Sequence, residues 1–210
     1  MIRILVADDH AVVREGVKQI LADVGDMVVK DEAENGQVTL EKVAQNDYEV
    51  VLLDISMPGR SGLEILEDIK SEQPKLPVLI LSMHPEEQYA VRALRAGASG
   101  YLTKASAPQE LIGAIRKASR GGKYVTVSLA EKLALELDVD TERLPHERLS
   151  NREYQVMLML ASGKSVSEIA DELYLSVKTI STYRTRIMDK MAMKKNAELT
   201  LYAVQNSLID

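Results

Sequence analysis

The chain has no cysteine, no phenylalanine and no tryptophan. Without cysteine there is neither a disulfide nor a thiolate-held metal, which is compatible with the cytoplasm, the expected location. Without Phe and Trp the core must be assembled from Leu, Ile, Val, Ala and Met, supported by eight Tyr. No run approaches the roughly 18 apolar residues that a membrane span needs, so no membrane partner is expected. The opening MIRILVADDH meets two acids within its first nine residues, which is unlike a signal peptide and reads as a first strand. No G-x-G-x-x-G follows that strand, so dinucleotide binding of the usual kind is not supported. Asp8-Asp9 stands there instead.

What is present is a chain of 210 residues, enough for one large domain or two smaller ones. At 46% hydrophobic and 28% charged residues it should be globular. The net charge of −6 is unevenly spread. Residues 1–149 hold 18 Lys+Arg against 25 Asp+Glu, whereas residues 150–210 hold 8 against 7. Between Lys178 and Lys195 six basic residues face a single acid, Asp189. An acidic front with a locally basic tail suggests two modules, the second either meeting a polyanion or presenting a solvated face.

The first 120 residues alternate between two periods. Short β-rich runs lie at Ile2–Ala7, Met27–Ala33, Val50–Asp54, Val78–Ser82 and Ser99–Thr103. Helical spacing separates them, for example Val13, Val17, Ile20 and Leu21, then Leu63, Leu66 and Ile69. A fifth helix opens at Pro108, with Ser106 or Ala107 as its cap, and Gly121-Gly122 ends it. Five βα units in regular order predict a doubly wound parallel sheet, because right-handed crossovers leave little else.

Beyond this α/β domain, residues 1–122, comes a linker over 123–147 that contains a helical piece, Leu129–Leu137. DVDTERLPHERL follows it, charged and weakly periodic. Residues 148–210 read as a small all-α domain. Ser150/Glu153 and Ser165/Glu168 form S-x-x-E capping boxes, and Gly163 closes the helix between them. Ser176 caps a basic helix from Val177, only a short YLSV turn after the previous one, which is the helix-turn-helix arrangement. A last helix is expected over Ala197–Leu208.

VVLLD, residues 50–54, is a run of apolar residues ending on a bare carboxylate. Consecutive apolar residues suit a strand covered on both faces. Asp54 alone reads equally as the start of a turn or as a group at the ligand-binding mouth of the sheet. Asp8 and Asp9 end the first strand, and first and third strands are neighbours in a sheet of this kind. Three carboxylates so close repel one another unless a cation is present, and Mg²⁺ suits a site with few protein carboxylates. Ser82 ends the fourth strand and Lys104 follows the fifth. A hydroxyl and an ammonium beside a carboxylate–metal centre suit a phosphoryl group, and a carboxylate can accept one.

With ADDH (7–10), LLDISMPGRSG (52–62), LILS (79–82) and GYLTK (100–104), residues 1–120 resemble the receiver domain of bacterial response regulators. With LSNRE (149–153) and EIADELYLSVKTISTYRTRIMDKM (168–191), the full chain resembles the NarL/FixJ-like subfamily, whose output domain is a LuxR-type helix-turn-helix. The resemblance implies a flavodoxin-like sheet of strand order 2-1-3-4-5. It implies that a sensor histidine kinase phosphorylates Asp54, and that Asp9, Asp54 and the main-chain carbonyl of Ser56 hold Mg²⁺ while Asp8 assists through water. Ser82 would be the switch hydroxyl, Tyr101 the aromatic that moves with it, and Lys104 the contact to the phosphoryl group. One departure is Ala105, where many receivers carry proline after the lysine.

The same resemblance places Ser181, Thr182 and Thr185 at base edges in the major groove of double-stranded DNA. Lys178, Thr179, Tyr183 and Arg184 would meet phosphates or the groove wall. Ile180, Ile187 and Met191 fall on the opposite, core-facing side. The last helix would carry the dimer contact, making a homodimer on phosphorylation. His10, His84 and His146 show no metal-ligand spacing and read as structural or solvent-facing. A haloacid-dehalogenase-like hydrolase would need a second Asp two residues after Asp54, where Ser56 stands, so an enzyme is not expected. The function expected is a DNA-binding transcription regulator controlled by phosphorylation. The rival is a module of the same shape governed by a protein partner without phosphorylation.

Overall fold

The computed structural model describes residues 1–137 and 144–209. The charged connector DVDTER lies outside the described residues. The chain divides into two compact units, Met1–Ala134 and Leu135–Asp210.

In the first unit the strands are β1 (Ile2–Ala7), β2 (Met27–Ala33), β3 (Val50–Leu53), β4 (Val78–Ser82) and β5 (Gly100–Thr103). They form one parallel sheet of order β2-β1-β3-β4-β5, as the resemblance implies. The connecting helices are α1 (Ala11–Ala22), α2 (Gly36–Gln45), α3 (Gly62–Glu72), α4 (Glu86–Arg95) and α5 (Pro108–Ser119). Alternate residues of each strand point to opposite faces. Ile4, Val6, Val50, Leu52, Leu79 and Leu81 join Val17 and Leu21 of α1 and Leu111, Ala114 and Ile115 of α5 in one core layer. Leu5, Val51, Leu53 and Ile80 point the other way and are equally buried. That face is the one right-handed crossovers assign to α2, α3 and α4, where Leu63, Leu66 and Ile69 are buried. Each such side chain contributes about 1.5–3 kcal/mol of burial, and with Tyr89 and Tyr101 also buried the two-sided sheet is filled without Phe or Trp.

β3 stops at Leu53, leaving Asp54 as the first residue beyond it, and β5 starts at Gly100 rather than Ser99. Ala107 takes the cap position of α5, with Pro108 at its first turn, while Ser106 bonds the Thr103 hydroxyl. Gly121, at φ +80, ends that segment in the left-handed conformation glycine favours.

A further helix, α6 (Val127–Leu137), begins two residues earlier than its apolar spacing suggested, because Thr126 bonds the Leu129 N–H. The second unit holds a 3₁₀ turn at Pro145–Arg148 and then α7 (Asn151–Ala161), α8 (Val166–Glu172), α9 (Val177–Met191) and α10 (Asn196–Gln205). Both capping boxes form, with Ser150 and Ser165 accepting from the N–H of Glu153 and Glu168. The expected last helix is shorter at its C-terminus than Leu208. Ser207 adopts φ 53, and the Leu208 N–H turns back to the Ala203 carbonyl, which buries Leu208 against the small core.

Candidate functional site

The strand ends of the first unit bring the chemistry together. Asp54 follows the buried β3 and is only 1% exposed, its N–H bonded to the Ala7 carbonyl of β1. This pairing sets Asp8, the residue after Ala7, beside it. Gly62 fixes the loop from the other side: a Cβ there would lie 2.0 Å from the Asp54 carbonyl oxygen, so only glycine permits this approach. The Gly62 N–H donates to the Ile55 carbonyl, and Ser61 caps α3 directly after the loop.

Lys104 reaches in from the end of β5. Its Nζ is 2.7 Å from Oδ2 of Asp8 and 2.8 Å from Oδ2 of Asp54. Lys104 is itself held at the rim, its N–H donating to the Ser82 carbonyl at 2.7 Å. Burial works against the Lys104 ammonium, but Asp54 and Asp8 outweigh it and hold its pKa above the ordinary lysine value. Burial raises the Asp54 carboxyl above its usual range, helped by the Asp8 charge and opposed by Lys104 and the Ser56 N–H. The second oxygens tell the same story. Oδ1 of Asp54 is buried without a hydrogen-bond partner, and Oδ1 of Asp9, buried as well, is approached only by the His10 ring at 2.9 Å, in a geometry that makes no hydrogen bond. Ligand atoms of Asp8, Asp9, His10 and Asp54 lie within 4.8 Å of one another, and their carboxylate oxygens fit a hard cation that would satisfy the buried Asp54 oxygen.

Ser82, fully buried at the end of β4, accepts a hydrogen bond from the His84 N–H at 3.1 Å. The Tyr101 hydroxyl donates to the His84 carbonyl at 2.9 Å. Burial pushes that hydroxyl's pKa up, so it stays a donor. The structure therefore gathers Asp8, Asp9, Asp54, Ser56, Ser82, Tyr101 and Lys104 at one rim of the sheet. Two residues escaped sequence reasoning. His10 sits with Nδ1 2.9 Å from Asp9 Oδ1 and 3.3 Å from Asp8 Oδ1. His84 places Nε2 3.0 Å from Ser56 Oγ and its ring against Tyr89. Only adjacency to Asp9 and Ser82 could have pointed to them. The Lys104–Ala105 peptide is trans.

In the second unit α9 shows two faces. Ile180, Ile187, Met188 and Met191 are buried, while Lys178, Ser181, Thr182 and Thr185 are exposed. Thr182 and Thr185 donate to the Lys178 and Ser181 carbonyls one turn back. Thr179, Tyr183 and Arg184 are half-buried at the edges of that face. Arg184 Nε donates to Asn196 Oδ1 at the start of α10, and Thr179 N–H to the Ser176 cap. The exposed strip is thus polar and positively charged, which suits a polyanion. His146 packs between Tyr154 and Tyr202 and bonds the Tyr202 hydroxyl, a structural role.

Comparison with known proteins agrees with both halves. Residues 4–116 match the response regulator receiver domain, and residues 147–203 match the bacterial regulatory proteins of the luxR family. The response regulator GacA of Pseudomonas viridiflava is 37% identical over 211 residues, covering 100% of this chain and 99% of the relative. The response regulator UvrY of Escherichia coli K12 is 37% identical, covering 99% and 96%. Among solved structures, RcsB of Salmonella enterica serovar Typhimurium, bound to promoter rprA with the phosphomimetic BeF3−, covers 100% of both chains at 27% identity and TM-score 0.66. A further Salmonella RcsB structure reaches TM-score 0.70 at 26% identity, covering 98% of each chain. The chain belongs to the response regulators, as a receiver domain joined to a LuxR-type DNA-binding domain, and is a transcription regulator rather than an enzyme.

Proposed function

We propose that Asp54 is the phosphoryl acceptor of this regulator and that a sensor histidine kinase is the donor. One observation carries the reading. Asp54 holds one oxygen on Lys104 and leaves the other buried and unpartnered beside Asp8 and Asp9. One carboxylate oxygen of Asp54 attacks phosphorus while the phosphorus–nitrogen bond of the donor phosphohistidine breaks, and the imidazole leaves with the electron pair. Lys104 already stands where a phosphoryl oxygen would need a cation, and Ser82 supplies a hydroxyl donor on the neighbouring strand. Asp9, Asp54 and the Ser56 carbonyl would hold Mg²⁺, with Asp8 assisting through water, and the ion would neutralise charge on the transferred group.

Domain bounds of 1–122, 123–147 and 148–210 express the same division of labour: acceptor, connector and output. In the output domain, Ser181, Thr182 and Thr185 face base edges in the major groove, and Lys178, Thr179, Tyr183 and Arg184 meet the backbone. Phosphorylation favours a homodimer that spans two half-sites about 10 base pairs apart. The setting is the cytoplasm; no helix among the described residues is long and apolar enough to cross a membrane. Acetyl phosphate tests the acceptor. The protein should take up one acid-labile phosphoryl group and Asp54→Asn none. Undiminished labelling of Asp54→Asn would refute the assignment.

A further inference from the structure

The hydrogen bonds around Ser82 do not stop at Tyr101. His84, which Ser82 and Tyr101 hold by its N–H and its carbonyl, lies two residues before Glu86, the first residue of α4. Oε1 of Glu86 accepts a hydrogen bond from the Thr126 hydroxyl at 2.6 Å. Thr126 immediately precedes α6, the helix that leads in sequence toward the DNA-binding domain, and its Oγ1 accepts from the Leu129 N–H at 3.1 Å. A hydroxyl has one proton to give and lone pairs to receive. With the proton committed to Glu86, a lone pair is aimed at Leu129. The cap of α6 therefore depends on where α4 begins.

The segment before Thr126 is fastened to the same edge. Tyr124 makes a parallel bridge to Gly100, its N–H donating to the Ser99 carbonyl at 2.7 Å. A Cβ at Gly100 would meet the Tyr124 carbonyl oxygen at 2.6 Å, so the bridge forms because β5 opens on glycine. Lys123 Nζ donates to the Ala98 carbonyl just before β5. Leu129 is 2% exposed, so the first turn of α6 is packed as well as capped.

We propose that the Glu86–Thr126 hydrogen bond is the latch by which the phosphorylation site controls α6. The proposal rests on Asp54 being the acceptor and Ser82 the switch hydroxyl. When Ser82 turns to a phosphoryl group, it gives up the His84 N–H, and the loop between Ser82 and Glu86 shifts. Thr126 then loses the partner that orients it, and the first turn of α6 frays. Tyr124 and Lys123, bonded to the β5 edge, keep the rest of the connector in place. The signal is delivered at one helix terminus.

Hydrogen exchange on the full chain, with and without beryllium fluoride and Mg²⁺, tests this, while ¹⁹F NMR independently follows fluoride binding. In the wild type, bound beryllium fluoride should speed exchange of the Leu129 and Ala130 amides about fivefold, the factor given by one net hydrogen bond. Glu86→Ala removes the latch but leaves the Thr126 hydroxyl. It should show the faster exchange without ligand and no further response. Glu86→Gln retains an acceptor oxygen and should behave as the wild type. The latch is overturned if ligand binds but exchange in α6 does not change, or if Glu86→Ala protects α6 as the wild type does. Failure of beryllium fluoride to bind at all would instead remove the acceptor reading beneath it, and the latch with it.

Discussion

Lys104 and Asp54, fifty residues apart in sequence, meet with Nζ 2.8 Å from Oδ2, and Oδ2 of Asp8 lies 2.7 Å from the same ammonium. One cation thus faces a cluster of carboxylates from two strands. The arrangement is held by the sheet rather than by favourable charge balance, and that imbalance has consequences that can be measured.

Asp54 carries a raised pKa in the folded state, burial being the main cause. A carboxyl of this kind stabilises the fold most fully when protonated, below its ordinary value of 3.8, and the contribution is lost as pH rises through the folded pKa. In chelator-treated protein, Asp54→Asn should therefore be more stable than the wild type near neutral pH. The gap should shrink as pH falls toward 3.8. Added Mg²⁺ should narrow it at neutral pH, because binding to the folded wild type adds stability by mass action. Urea unfolding of both proteins across pH checks this; a gap independent of both pH and Mg²⁺ would contradict it.

Gly62→Ala should displace the acceptor, since the new methyl would sit against the Asp54 carbonyl and the Ile55 Cα. We expect a loss of about 2 kcal/mol or more, at the upper part of the range for overpacking, together with slower phosphorylation. Unfolding and labelling by acetyl phosphate read the two effects separately. Unchanged stability would show that the loop can give way.

Glu153 in α7 is a buried carboxylate whose burial tends to raise its pKa, yet the Lys190 ammonium and Ser150 overcome this and hold it below the ordinary value. Its stabilising contribution is present above the unfolded pKa and lost as pH falls through the folded one. Acidification should thus weaken the DNA-binding domain, and Glu153→Gln should show less of that loss while being less stable at neutral pH. Amide exchange of α7 and α9 in the full chain, followed against pH, distinguishes the two proteins.

Lys178→Ala should weaken binding to all DNA and reduce the salt slope by about one unit, the loss of one phosphate contact. Thr182→Ala should alter sequence preference more than general affinity, the outcome expected of the base-edge contact proposed for it. Titrations on specific and random duplexes at several salt concentrations check both. Equal losses on the two duplexes for Thr182→Ala would remove it from base readout.

Much of this was legible in the sequence because the sheet is covered on both faces. Val50–Leu53 and Val78–Leu81 are apolar at every position, and only a two-sided strand has use for that. The acids and Lys104 were legible because they interrupt or follow such runs. The contact of His84 with Ser56 was not: it joins two loops 28 residues apart and leaves no periodic trace. The same holds for Thr126 and Glu86, a threonine in a connector and a glutamate at a helix start, ordinary in both places. Leu208 is apolar and in helical register, so the sequence points to a longer α10, yet it is buried by a turn at Ser207 rather than by continuing the helix.

Every role proposed for the sheet rim depends on which residue carries the phosphoryl group. Borohydride reduces an aspartyl phosphate to homoserine, so treatment after exposure to acetyl phosphate and Mg²⁺ leaves a mark that peptide mass spectrometry can place. Homoserine at position 54, absent when Mg²⁺ is chelated, is the predicted result. Homoserine at position 8 or 9 with Asp54 intact, or none in a protein that still takes up acid-labile phosphate, would contradict it.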